Sequence, residues 1–158
     1  MQEVFELDGR QERAKEAVLA TLAEGCGVKA TYDGNDAEAC PCDGVAGIIS
    51  LVGDVDWSLM LILPQESASR IARQFTGFDI DFSSADMTDV VGELANVLAG
   101  DVISRLERVA VKASMGLPMV VRGHELSMML PDGHPRIHMR FLSSHGNFFF
   151  ILGSRKST

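Results

Sequence analysis

The sequence predicts a mixed α+β fold: a largely antiparallel sheet of about six strands with three helices, the longest near residues 85–107. Three observations predict it. Residues 86–107 carry one continuous helical period, the longest in the 158-residue chain. Before it, residues 45–52 and 57–63 are two strand-like runs separated only by Gly53-Asp54-Val55-Asp56, the arrangement of a hairpin. After it, short apolar segments are broken by Gly116, Pro118, Gly123, Pro131-Asp132-Gly133 and Pro135, which suits strands and tight turns. Helices scattered among antiparallel strands define the class.

Each element has its own warrant. Residues 11–24 are rich in helix formers, with Ala14, Ala17, Val18, Thr21 and Leu22 as the apolar stripe and Gly25 as the stop. Residues 28–32 read as a short strand. Residues 33–44 form a polar loop. The hairpin strands are apolar on both faces, interrupted only by Ser50 and Ser58, so they belong in the middle of the sheet. Pro64 suits the first turn of a helix over 65–75, where Ala68, Ile71, Ala72 and Phe75 keep a helical period and Gly77 closes it. The long helix starts after Ser83 or Ser84, either of which can cap it, and Asp86 and Asp89 suit the positive end of its dipole. Strands follow near 112–117, 125–129 and 136–142. A last hairpin turns at 144–147 and returns over 148–152, ahead of a solvated tail at 154–158. One domain is expected over 1–158.

Composition excludes several classes. A hydrophobic content of 46% and a mean hydropathy of +0.12 belong to a globular chain with a sizeable core. The formal charge of −8, with no basic cluster to offset it, opposes nucleic acid as a partner. The longest apolar runs, 59–63 and 148–152, are far short of a membrane span. The acidic N-terminal segment lacks a secretory apolar region, so a cytoplasmic location is expected.

Three cysteines, Cys26, Cys40 and Cys42, make an odd count that argues against a disulfide framework. Cys40-Pro41-Cys42 lacks the spacing of a zinc knuckle, and no second pair follows. In the same loop Ala37 and Gly44 stand where a calcium loop needs oxygen ligands. His134 and His138 are four apart in a strand, too far for simple shared ligation, and His124 and His145 lie near turns. No metal site is expected. Met115, Met119, Met128, Met129 and Met139 read as core filler, and Trp57 as a packing residue.

The long helix is the exception to this plain reading. Residues three, four and seven apart share a helical face. On that spacing Asp86, Asp89, Glu93, Asn96, Gly100 and Ser104 fall in one narrow stripe, while Val90, Val91, Leu94, Val97, Leu98, Val102 and Leu106 spread over the side that meets a core. Glu93 and Asn96 project a carboxylate and a carboxamide side by side. Gly92 and Gly100 flank them, although a mid-helix glycine costs about 1 kcal/mol relative to alanine. Close approach by another surface, or by a strand of the same fold, accounts for both glycines.

The run Asp89-x3-Glu93-x2-Asn96 within VGELANVLAG, followed by Gly116-Leu117-Pro118, resembles the signature of the CheC/CheX/FliY phosphatases, which dephosphorylate response regulators of the CheY type. The glycine-flanked strand at 46–54 and the short helix at 67–72 extend the likeness, so that roughly residues 10–155 follow the single-site CheX-like pattern. The resemblance implies a CheC-like fold, with Glu93 and Asn96 as catalytic residues and Asp89, Gly100 and Pro118 as supporting, partner-binding ones. It also implies that magnesium belongs to the response regulator, and that the chain is a homodimer. Two-site members repeat the helix motif. Here the first helix, aligned through Leu22-Ala23 and Leu98-Ala99, places Ala17 and Ala20 opposite Glu93 and Asn96, so a single site is expected.

The chemistry fits the residue types. An aspartyl phosphate is hydrolysed by in-line attack of water, and the protein's task is to place that water and to stabilise charge. A carboxamide accepts from water with its oxygen while its nitrogen donates elsewhere, the role expected of Asn96. By resemblance, Glu93 pairs with a lysine of the regulator. Two function classes follow: a response-regulator phosphatase, or a non-catalytic module that docks a regulator or joins a signalling or flagellar switch assembly. The carboxamide favours the enzyme, because docking alone has no need of it.

Overall fold

The structure is a computed structural model that describes residues 12–34, 42–128 and 132–155. Most of the polar loop, Cys40, Met129 and residues 156–158 lie outside the described residues. Helix α1 spans 12–20 and continues as a π-helical turn, Thr21–Gly25. The chain then reverses at Gly27 (φ +68°) rather than at Gly25. Helices α2, Gln65–Thr76, and α3, Ala85–Glu107, follow the predicted segments closely.

Seven strands form one antiparallel sheet: β1 Ala30–Tyr32, β2 Cys42–Gly53, β3 Asp56–Pro64, β4 Ala113–Met115, β5 Met119–Leu126, β6 Arg136–Ser143 and β7 Phe148–Ser154. The order is β1-β6-β7-β3-β2, with β4 and β5 both paired to the far side of β2. The predicted hairpin is β2–β3, and both of its strands are internal. Strand β2 begins at Cys42, three residues before its expected start at Val45, and Cys42 finds a partner in Leu126 of β5. Strand β5 itself differs most from expectation. A strand was expected over 125–129, yet it runs from Met119 through Gly123, a residue read from sequence as a break.

Alternation divides the sheet. Val45, Ile49 and Leu51 of β2, Trp57, Leu59, Leu61 and Leu63 of β3, and Phe148, Phe150 and Leu152 of β7 all belong to the main buried cluster that the helices cover. The opposite face carries a second, smaller cluster of Ala46, Met60, Ile62 and Ile151. From α3, Val90, Val91, Leu94, Leu98, Val102 and Leu106 enter the main core, as expected of the apolar stripe. Val97 does not: it is 42% exposed. The methionines also divide. Met139 is core, but Met115 and Met119 are 42% and 63% exposed, so the expectation of uniform core filler is corrected.

Helix α1 is tied to α3 by polar contacts. Thr21 Oγ1 donates to Asp101 Oδ2 (3.1 Å), and Arg105 bridges Asp101 (3.3 Å) and Glu16 (3.5 Å). Ala17, the counterpart of Glu93 in the internal alignment, is fully buried. That position of α1 packs in the core and faces no solvent.

Candidate functional site

The site is built at the start of α3. Ser84 is the N-cap, its Oγ accepting the Met87 N–H (3.2 Å), one of the two alternatives the sequence offered. Arg122 of β5 reaches across to the same place, donating from Nη1 to the carbonyl oxygens of Phe82 (3.1 Å) and Ser84 (2.8 Å). The guanidinium thus ties the edge of the sheet to the helix entry.

Between that edge and the helix lies a groove of about 650 Å³, lined by Thr88, Asp89, Gly92, Glu93 and Asn96 of α3 and by Pro118 and Val120. Glu93 is exposed and Asn96 half-buried. Among the described residues, neither side chain is engaged in a hydrogen bond or ion pair. A rigid helix therefore presents an acceptor-only carboxylate and a donor–acceptor amide to an open cleft, both available to an incoming group.

The wall opposite α3 owes its shape to a miscount between strands. Met115 pairs with Leu51 and Met119 with Ile48, so Gly116, Leu117 and Pro118 oppose only Ile49 and Ser50. One extra residue makes a β-bulge, which shifts every later side chain to the other face. Met115 and Val120 consequently lie on the helix side of the sheet, although they are five positions apart. Gly116 donates its N–H to Ser50 O (3.0 Å) and pins the bulge. At the other end of β5, His124 and Glu125 oppose only Asp43, between the pairs Gly123–Gly44 and Leu126–Cys42. There Asp43 accepts the Glu125 N–H (3.1 Å), and His124 Nδ1 lies 3.3 Å from its other oxygen. These contacts, the backbone one foremost, hold the Asp43 carboxyl below the usual carboxylate range.

Neither helix glycine is required by the approach of a neighbouring segment of the same chain. A Cβ at Gly92 would meet Val120 Cγ2 at 3.6 Å and Pro118 Cγ at 3.8 Å, and one at Gly100 would meet Met115 Cε at 3.8 Å. These are ordinary contacts with strands of the same chain. Of the residues singled out from sequence, Asp89, Glu93, Asn96 and Pro118 come together around the groove, whereas Gly100 lies one turn beyond it beside Met115. Thr88, Gly92 and Val120 complete the lining. Gly92 was visible as a costly mid-helix glycine; Val120 had no signal, because its strand was not recognised.

Among the described residues no group of three or more histidine, cysteine, aspartate or glutamate side chains is placed to hold a metal ion. His134 Nδ1 instead meets the Ser154 carbonyl oxygen (3.1 Å). No helix among the described residues is long and apolar enough to cross a membrane.

The sequence model of chemotaxis phosphatase CheX matches residues 45–142, more than half of the chain and all of α3, and the chain belongs to the CheX family. No curated protein matches it. Solved structures share its fold. A CheC-like superfamily protein from Shewanella sp. PV-4 superposes with a TM-score of 0.77 at 22% identity, over 93% of this chain and 97% of that one. CheX from Desulfovibrio desulfuricans gives 0.81 at 18%, over 91% and 97%. CheX of Borrelia burgdorferi, solved in complex with CheY, BeF3 and magnesium, gives 0.75 at 18%, over 90% and 95%.

Proposed function

We propose that this chain, one CheX-like domain over 1–158, hydrolyses the aspartyl phosphate of a CheY-like response regulator in chemotaxis or related two-component signalling. The observation that carries the reading is the pairing of Glu93 and Asn96, both unengaged, on the helical wall of an open groove. The crystallised partnership of Borrelia CheX with CheY, BeF3 and magnesium supports it, BeF3 standing in for the phosphoryl group.

In this mechanism α3 enters the regulator's active site. Asn96 accepts a hydrogen bond from the attacking water through Oδ1 and places its oxygen in line with the phosphorus. The water oxygen bonds to phosphorus as the bond to the aspartyl oxygen breaks. Inorganic phosphate and the free carboxylate result. Glu93 pairs with a lysine of the regulator, docking the helix and orienting that lysine toward the phosphoryl oxygens. Asp89, Gly100 and Pro118 shape the contact. Magnesium is brought by the regulator. We place the protein in the cytoplasm, where such regulators work, as a homodimer.

Release of inorganic phosphate from a phosphorylated CheY-like protein, followed with and without the chain, tests the reading. Acceleration in proportion to added chain is expected. No acceleration across several such regulators would refute it and leave the non-catalytic docking module.

A further inference from the structure

We propose that Leu117 is the apolar anchor that sets the chain's affinity for the regulator seated on the groove, an inference that rests on the reading of the groove given above. Leu117 is the middle residue of the bulge, and at 93% it is the most exposed large apolar side chain among the described residues. It adds nothing to the core. Its backbone is nevertheless fixed on both sides: Gly116 is bonded to Ser50 O, Met115 and Met119 are paired to β2, and Pro118 lies against the groove floor at Gly92. An apolar knob is therefore held in water, in a set place, one residue from the groove wall. On α3 itself Val97, one turn after Glu93, is also exposed.

Exposed apolar side chains thus adjoin both walls of the groove, Val97 beside Asn96 in the helix and Leu117 beside Pro118. A small phosphate ester would occupy the groove and leave Leu117 hydrated. A folded protein whose phosphorylated side chain reaches Asn96 has to cover the rim as well, and excluding water from apolar rim groups is how such contacts gain affinity. The occupant is accordingly a phosphorylated receiver domain with an apolar patch beside its phosphorylated aspartate. A charged group at that place would be desolvated by Leu117 without a partner.

The test is phosphate release measured against concentration of a phosphorylated CheY-like regulator, for the unmutated chain, Leu117→Ser and Leu117→Met. A contact made equally before and during the chemical step acts on KM and leaves kcat unchanged. Leu117→Ser should raise the half-saturating concentration roughly tenfold, the scale of one buried leucine side chain, at an unchanged saturating rate. Leu117→Met should behave as the unmutated chain. Binding to the same regulator loaded with beryllium trifluoride and magnesium should weaken in parallel for the serine variant alone. Unchanged half-saturation and unchanged binding in Leu117→Ser would overturn the proposal. If the unmutated chain binds the loaded regulator but releases no phosphate, the hydrolytic reading fails alone. Weaker binding by Leu117→Ser then still supports the anchor, and equal binding overturns it. An unmutated chain that binds no regulator overturns both.

Discussion

Gly47 of β2 lies so close beneath Ala95 of α3 that a Cβ added to the glycine would stand 2.9 Å from the alanine methyl and 3.3 Å from Val91 Cγ1. This contact sets the height of α3 above the sheet, and with it the depth of the groove. Gly47→Ala should destabilise the fold by about 1–3 kcal/mol, the usual result of forcing a methyl into a packed contact. Gly92→Ala is the contrasting case, since its methyl finds ordinary contacts. It should stabilise the helix by up to about 1 kcal/mol, yet reduce phosphate release, because the methyl raises the groove floor beneath Asn96. Denaturant unfolding and the phosphatase assay, run on both variants, separate the two effects.

Asn96→Ala should slow dephosphorylation by roughly 10²-fold or more while leaving binding largely intact, as expected for an interaction made in the transition state. Glu93→Ala should weaken both binding and rate. Neither side chain is buried in the core, so both variants should melt close to the unmutated protein. Single-turnover phosphate release and separate binding to a phosphoryl mimic give the two readouts. Full activity in Asn96→Ala would eliminate the proposed mechanism.

Cys26 is buried behind α1, and burial pushes its thiol up to about 11. The thiolate is the reactive form, so alkylation of Cys26 at pH 8 should be slow in the folded protein and fast after unfolding. Linkage fixes the sign of the pH effect. The unfolded chain loses this proton near 9.0, before the folded one does, so stability falls as pH rises from there toward about 11. Comparing the pH dependence of unfolding with that of Cys26→Ala isolates the contribution, and equal slopes in the two proteins would contradict it.

Homodimerisation is expected through the sheet. Among the described residues β5 has a strand on one side only, and the face opposite the helices carries the second apolar cluster with Ile48 and Phe149 at its margin. Light scattering at micromolar concentration should give twice the mass of 17.1 kDa. A monomer at all such concentrations would exclude the dimer.

The parts of this fold that the sequence made legible are those whose signals are local. Helix α3 has a cap at Ser84, a long apolar period and acids in its first turns, and it begins and ends where expected. The hairpin β2–β3 is marked by two β-rich runs around a polar turn. Strand β5 was misplaced because its pairing is decided at a distance. Extra residues at both ends break the two-residue alternation, and Gly123, inside the strand, looks like a terminator. The same cause concealed Val120 as a groove residue and made Met115 and Met119 look like core. Glu93, Asn96 and Asp89 were visible since helical spacing alone puts them on one face; their distance from Pro118 was not, because it depends on the bulge.

The bulge makes chain length itself part of the site. Deleting Leu117 would leave Gly116 and Pro118 opposite Ser50 and Ile49, restoring the regular count while Met119 keeps its place opposite Ile48. Val120 and Arg122 would still face α3, Met119 and Val121 would still face away, and only the projecting knob would be lost. No residue that lines the groove need be altered for its rim to change. An alignment that runs through this point without the one-residue gap would pair a bulged chain and an unbulged one with similar letters and opposite faces, whereas a change at 117, or its loss, preserves the wall and alters only the rim.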